Sequence, residues 1–98
     1  MKNKKGGYVY VLKSINFYKI GCSVSNVHPR IKTHKTSNPH AEVFGIYNVE
    51  NCYKVEKSLH AIFKHKRHNR TEWFLLSESE VIELEDLLIL KQDEFHGY

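Results

Sequence analysis

The sequence is poor in cysteine and proline and lacks any long hydrophobic run. Its 98 residues contain two cysteines, Cys22 and Cys52, and two prolines. Two cysteines are too few for a disulfide framework, which favours a reduced, cytoplasmic protein. The apolar stretch after the first lysines is about five residues, shorter than the roughly 7–15 of a signal-peptide core, and no segment approaches the roughly 18 of a membrane span. We therefore expect a soluble intracellular protein without membrane contact.

The length predicts a single domain over residues 1–98, with residues 1–6 as a loose polar tail. The hydrophobic fraction of 41% is enough for one modest core. The formal net charge is +4, and the pI is about 9.1. This excess of positive charge is a mild indication of an anionic partner such as nucleic acid.

Residue patterns along the chain predict a small α+β domain in the order β-β-α-β-α-(β)-α. Strands are indicated by β-branched and aromatic residues, and helices by capping residues and apolar stripes. The third strand is apolar on both faces, so we expect it to be well buried. The predicted elements are strands 8–14, 17–23 and 41–50, helices 25–36, 51–68 and 77–92, and a short extended piece at 70–76.

Two of the predicted helices carry recognisable start signals. Ser25 or Asn26 could cap the first helix, and Pro29 suits its first turn. Ser77 followed three residues later by Glu80 forms the pattern of a capping box at the start of the last helix.

The letters G-I-Y occur literally at residues 45–47, in the stretch FGIYNVE. A functional G-I-Y needs a second triplet one hairpin later, but after Tyr47 the chain enters a helix. Upstream, YVY (8–10) and YKIG (18–21) lie about ten residues apart on two adjacent predicted strands. This spacing favours the upstream pair and predicts that the G-I-Y at residues 45–47 belongs to a core strand.

The ordered set YVYVL, YKIG, PRIKTH, VEKSLH and KRHNRTEWF resembles a GIY-YIG endonuclease domain, of the compact stand-alone kind found in viruses and phages. The resemblance covers about residues 7–76. It implies a three-stranded antiparallel sheet flanked by helices, with the active site on one sheet face. It also implies hydrolysis of nucleic-acid phosphodiesters with Mg²⁺ as cofactor and Mn²⁺ as a substitute.

The chain departs from the family pattern at three places. Tyr8 stands where the family has its first glycine, Lys19 occupies the tyrosine position of Y-I-G, and Cys22 follows Gly21. Tyr18 lies one residue early, and a one-residue offset on a strand points a side chain to the opposite face. Tyr18 and Lys19 therefore cannot both face the site.

Glu56 and Arg30 match the family's metal and phosphate positions. One carboxylate with water and a substrate phosphate suits Mg²⁺, which keeps much of its hydration shell. The alternative for Glu56 is a surface glutamate paired with His60 at i+4. The guanidinium of Arg30 would hold the scissile phosphate, and the alternative is a solvated arginine.

The remaining catalytic candidates are Tyr10, Lys19, His34 and Asn69. Nearby cations could lower the pKa of Tyr10 enough for it to orient or deprotonate water, although a strand tyrosine could instead pack in the core. His34 could relay a proton or bind phosphate, and Lys19 could replace the missing tyrosine as proton acceptor or donor. Asn69 resembles an asparagine that closes the site. For His34, Lys19 and Asn69, an ordinary exposed residue remains the alternative.

Six basic residues are candidates for phosphate contact, with a solvated basic face as the alternative. They are Lys32, Lys35, Lys64, Lys66, Arg67 and Arg70. The cysteines and histidines match no compact zinc pattern, so we do not expect a structural zinc site.

The leading hypothesis is a metal-dependent endonuclease of low sequence specificity, with DNA as the favoured substrate. The alternative is a nucleic-acid-binding module that kept the fold but lost turnover, because Lys19 and Cys22 depart from the family. A protein-interaction module is a third reading. Target recognition would come from the domain itself, from a homodimer or from a partner protein.

Overall fold

The computed structural model describes residues 6–97, so all of the predicted tail except Gly6 lies outside the described residues. The fold is α+β, as predicted. Its elements in chain order are β1 (Gly7–Ser14), β2 (Phe17–Ser23), α1 (His28–Ser37), β3 (Glu42–Val49), α2 (Cys52–Ile62), a 3₁₀ turn (Lys64–Lys66), β4 (Trp73–Leu75) and α3 (Glu78–Phe95). No helix within residues 6–97 has both the length and the hydropathy of a membrane span.

The four strands form one antiparallel sheet in the order β3-β1-β2-β4. This corrects the expected three-stranded sheet, because the extended piece near residue 73 pairs with Phe17–Lys19 of β2. A three-residue strand is too short to show a period of two. Whether these residues form a strand depends on their pairing with β2, which lies far away in the sequence.

Side chains of β1 alternate between the two faces of the sheet, as predicted. Val9 and Val11 point to the larger core, which is covered by α2 and α3, and Tyr10 and Leu12 point to a smaller one beneath α1. We call these sides the α2/α3 face and the α1 face. The smaller core consists of Tyr10, Leu12, Val27 and Ile31, with Trp73 packed against them.

Helix α1 begins at His28, three residues later than predicted. Its N-cap is Val27, which makes no side-chain cap, so neither Ser25 nor Asn26 is the N-cap. Asn26 instead accepts the backbone N–H of His28 at 3.0 Å, which closes a turn just before the helix. Pro29 lies in the first turn, as predicted.

Helix α2 ends at Ile62 rather than at residue 68. The chain tightens into the 3₁₀ turn and then extends, so that Arg67 forms a bridge with Phe74 and the His68 N–H donates to the Trp73 carbonyl at 2.8 Å. These contacts place Arg67 and His68 alongside β4. A continuous helix could not supply them.

Strand β3 lies at the edge of the sheet, which corrects the expectation of a strand buried on both faces. Val43 and Ile46 remain 45% and 37% exposed. The buried side chains of this strand, such as Tyr47 and Val49, point towards α2 and α3 and belong to the larger core. The apolar run therefore overstates the burial of this strand.

Helix α3 begins with the predicted capping box. Ser77 Oγ accepts the Glu80 N–H at 3.3 Å, and Glu80 Oε1 accepts the Ser77 N–H at 2.9 Å. The helix continues to Phe95, beyond the predicted end at residue 92. Its buried residues, Leu84 and Leu88, belong to the larger core.

Candidate active site

The outer edge of β2 is only partly covered by β4, which pairs with residues 17–19. Just beyond that pairing, the Ile20 carbonyl lies 2.9 Å from His60 Nε2. A carbonyl can only accept, so His60 Nε2 carries the hydrogen and donates it. A side chain of α2 thus forms a hydrogen bond with β2 just past the end of its pairing with β4. Side chains from both faces of the sheet can approach this edge.

Tyr10 lies on the α1 face, directly opposite Gly21 of β2. A Cβ at Gly21 would lie 2.5 Å from the Tyr10 ring, so only glycine permits this close approach. The ring crosses β2 above Gly21, and its hydroxyl lies 3.0 Å from His34 Nε2. The glycine of YKIG therefore makes room for the tyrosine of the neighbouring strand.

Arg30 and His34 lie four residues apart on α1 and so share one side of that helix. The Arg30 side chain lies near enough to the Tyr10 hydroxyl to act on its pKa. Burial raises the pKa of Tyr10 above its ordinary value, and the nearby Arg30 offsets only part of that rise. Arg30 thus acts in the expected direction, but burial outweighs it, and Tyr10 is protonated at neutral pH in the protein alone.

His34 is held in its neutral form. Burial lowers its pKa, and the positive charges of Lys19 and Arg30 lower it further, against a smaller opposing effect of Glu72. A neutral imidazole has one nitrogen able to accept a hydrogen bond. The Tyr10 hydroxyl can therefore donate its hydrogen to His34 Nε2.

Lys19 and Tyr18 point to opposite faces, as predicted. The Tyr18 ring packs edge-on against Phe44, with Tyr18 in the larger core. Lys19 lies on the α1 face, opposite Leu12, and its ammonium forms an ion pair with Glu72 Oε1 at 3.0 Å. Lys19, which the resemblance aligns with a tyrosine, is thus a paired lysine.

Glu72 is a residue of this cluster that sequence reasoning missed. Burial acts to raise its pKa, but the hydrogen bond and charge of Lys19, helped by His60 and His34, hold the pKa below its usual range. Glu72 is therefore ionised at neutral pH. No spacing pattern marks it, because its role follows from the pairing of β4 with β2.

Glu56 reaches the same edge from the α2/α3 face. Its Oε1 accepts the Cys22 S–H at 3.3 Å, and its Oε2 lies 3.9 Å from His60 Nε2. Burial, and then the charge of Glu56, raise the pKa of the Cys22 thiol, so Cys22 stays protonated and donates. The predicted pairing with His60 is thus present as a long contact. Glu56 is also near enough to Tyr10 to contribute, as the smallest cause, to the raised pKa of Tyr10.

The donor set suits a weakly held, hydrated cation. Among residues 6–97, no three or more His, Cys, Asp or Glu side chains are grouped to hold a metal ion. Mg²⁺ commonly binds through one or two carboxylates together with water and substrate phosphate. Glu56, with one oxygen oriented by Cys22, fits that pattern.

The other predicted site residues lie apart from this cluster. Asn69 is exposed in the turn before β4 with a φ of 53°, a left-handed conformation that asparagine tolerates. No contact among the described residues links it to Tyr10 or Glu56. Its catalytic role stays a prediction.

Two of the six candidate phosphate-binding residues are engaged within the chain. Lys66 pairs with Glu80 Oε1 at 3.1 Å, and Arg67 donates to the carbonyls of Thr71 and Arg70, which brace the turn. Lys32, Lys35, Lys64 and Arg70 have exposed side chains. Contact of any of the six with phosphate stays a prediction.

The literal G-I-Y lies on strand β3, as predicted, and of its three residues Tyr47 belongs to the larger core. Tyr47 is buried on the α2/α3 face, opposite to Tyr10, and a Cβ at Gly45 would lie 2.6 Å from its hydroxyl. Burial, and then the charge of Glu85, raise the pKa of Tyr47.

The chain is thus a small α+β domain with a polar cluster at one edge of its sheet. The family model of the T5orf172 domain matches residues 7–88, so the chain belongs to the T5orf172 domain family. This phage-associated family falls among the GIY-YIG-like and HNH-type nucleases, and it points to a nuclease or nucleic-acid-related function. Neither the curated proteins nor the solved structures compared with the chain gave a significant match.

Proposed function

We propose that this protein is a divalent-metal-dependent endonuclease of the GIY-YIG type. It would hydrolyse nucleic-acid phosphodiesters, with DNA favoured and with low sequence specificity. One observation carries the proposal. Tyr10, Arg30 and His34 meet on the α1 face, and Glu56 reaches the same free edge of β2 from the other face.

Arg30 would bind the scissile phosphate. Its planar guanidinium matches two phosphate oxygens and stays charged at all relevant pH values. Because Arg30 lies near enough to the Tyr10 hydroxyl to act on its pKa, a phosphate held by Arg30 would lie close to Tyr10. This arrangement brings substrate and proton acceptor together before reaction.

Tyr10 and His34 would take the proton of the attacking water. With Tyr10 protonated and His34 neutral, the phenol can pass its own proton to His34 Nε2 while its oxygen accepts one from water. The transfer ends with a neutral tyrosine and an imidazolium, so no phenolate has to persist in a buried setting.

Glu56 would hold Mg²⁺, or Mn²⁺ in its place. When bound, such a cation neutralises charge on the phosphate and lowers the pKa of its water ligands. Cys22 donates to Oε1 and so fixes the carboxylate, which leaves Oε2 turned towards His60 and the edge of β2. Replacing Cys22 would free the carboxylate to rotate.

Plasmid cleavage tests the proposal. We expect supercoiled plasmid to be nicked or linearised in Mg²⁺ or Mn²⁺, and to stay intact in EDTA. Glu56→Gln should be inactive, whereas Glu83→Gln, an exposed glutamate of α3, should match wild type. Cleavage that persists in EDTA, or that survives Glu56→Gln, would contradict the proposal.

A binding module without turnover is the second candidate. Lys19 stands in place of a tyrosine, and Cys22 and His60 flank both oxygens of Glu56, which limits the room for a cation. Such a module would shift oligonucleotides in a gel at low salt and would remain inert with every divalent ion.

A further inference from the structure

Lys19 is a buried cation in a fixed position. Its side chain is only 11% exposed, although the cost of burying an unpaired charge is high. It projects from a strand paired on both sides, opposite Leu12 of β1 and Trp73 of β4, and its ammonium lies 5.7 Å from the centre of the Trp73 ring. The ammonium therefore has little freedom to move and requires an anion beside it.

Its present partner is much less constrained. Glu72 Oε1 lies 3.0 Å from the Lys19 ammonium, but the Glu72 side chain is 50% exposed. Glu72 stands in the turn just before β4 and not in a strand. The ion pair thus joins a fixed, buried cation to an anion that can swing into solvent.

The surroundings of this pair favour negative charge. Burial lowers the pKa of His34, Lys19 lowers it next and Arg30 least, while Glu72 raises it, so both cations and Glu72 act on the same imidazole. If the Glu72 carboxylate left, Lys19 would be a buried charge without a counterion. An arriving anion would restore the balance, and the Glu72 carboxylate oxygen marks where an oxygen of that anion would lie.

We propose that the Lys19 ammonium is a second phosphate-binding point for the nucleic-acid backbone, occupied in the free protein by Glu72, which a substrate phosphate displaces. Arg30 and Lys19 would then hold the backbone from two sides of the Tyr10–His34 pair. Lys19 acts as a charged ligand and not as a base, and Glu72 is a built-in competitor of the substrate. The inference rests on the proposed function for the identity of the anion.

Binding of a fluorescent duplex and of the same sequence as a single strand, both in EDTA, tests this directly. Glu72→Gln keeps the size of the side chain but removes its charge, so we expect affinity to rise about five-fold, the factor for breaking one partly exposed ion pair. Glu83→Gln makes the same change in net charge away from the cluster and should have a smaller effect. Equal effects of the two variants, or weaker binding by Glu72→Gln, would overturn the proposal.

A double-mutant cycle shows whether the effect passes through Lys19. Lys19→Met has similar volume and should fold, which circular dichroism and thermal unfolding would check. In the Lys19→Met background, Glu72→Gln should tighten binding no more than Glu83→Gln does. A five-fold gain that persists in that background would assign the effect to general charge and would overturn the proposal.

Inorganic phosphate separates this inference from the nuclease proposal. We expect phosphate to raise the melting temperature of Glu72→Gln more than that of wild type, and Lys19→Met/Glu72→Gln to lose the extra shift. This outcome would support the anion subsite even if no divalent ion yielded cleavage. Equal shifts in all three proteins would overturn the subsite, whatever the cleavage assays show.

Discussion

The two faces of the sheet each carry a tyrosine packed over a glycine. Tyr10 lies against Gly21 on the α1 face, and Tyr47 lies against Gly45 on the α2/α3 face. In both pairs a Cβ on the glycine would come within 2.6 Å of the tyrosine. Burial is also the main reason that both phenols have a raised pKa. The two tyrosines are therefore alike in their close contact with a glycine and in the effect of burial on their pKa.

They differ in what surrounds the hydroxyl. The Tyr10 hydroxyl forms a hydrogen bond with His34, and the charges of Arg30, Glu72 and Glu56 act on its pKa. Among the described residues, Glu85 is the one whose charge raises the pKa of Tyr47, after burial. The tyrosine of the literal triplet therefore lies among apolar residues, whereas Tyr10 lies among polar ones. The spatial neighbours of a tyrosine distinguish the two better than the letters beside it in the sequence.

Glu56→Gln should have the largest effect on cleavage while it leaves the fold and the nucleic-acid binding intact. We expect cleavage to fall about 10³-fold or more, because a bound cation supplies several kcal/mol of charge stabilisation. The fold should persist, since the change is nearly isosteric, and binding should be equal or tighter with one negative charge fewer. Plasmid cleavage in Mg²⁺ and gel shifts in Ca²⁺, on one preparation, measure both. Undiminished cleavage would reject Glu56 as the metal ligand.

Removing the hydroxyl from each tyrosine in turn tests the comparison directly. Tyr10→Phe should lower the cleavage rate about 10²- to 10⁴-fold, the usual contribution of a proton-transfer group. Tyr47→Phe should leave the rate nearly unchanged, because its hydroxyl serves only packing. Single-turnover rates of the two variants form a matched pair. The opposite pattern would mean that the literal triplet is the functional one.

Arg30→Ala should cost about 10² in rate, the size expected for one charge-stabilising group. Lys57→Ala, which removes an exposed cation of α2, should leave the rate within a factor of two or so, in line with a solvated surface charge. The two variants change net charge equally, so a difference in rate reports the position of Arg30. Similar cleavage rates for the two variants would contradict the assignment of Arg30 to the site.

The smallest effect concerns the basic residues around the cluster. If they contact duplex DNA, log affinity should fall against log salt with a slope near −0.9 per contact. Lys32→Gln should reduce the slope by about one unit. Lys66→Gln should reduce it less, because Lys66 already pairs with Glu80. An affinity that does not change with salt concentration would mean that these residues form a solvated basic face without phosphate contacts.

Features set by neighbouring residues were predictable from the sequence. The alternation of Val9 and Tyr10 follows from the period of a strand, and so does the separation of Tyr18 from Lys19. The Ser77–Glu80 capping box follows from a spacing of three residues. Each of these depends on backbone geometry within one element, so no distant contact was needed to infer it.

Only the tertiary structure decided the rest. The fourth strand exists because Trp73–Leu75 meets β2, and β3 is half exposed because it falls at the edge of the sheet. Glu72 joins the cluster because that same pairing brings it to Lys19, and Cys22 orients Glu56 because α2 packs against β2. These partners are far apart in sequence, and which of them meet depends on how strands and helices pack. No local pattern encodes that packing.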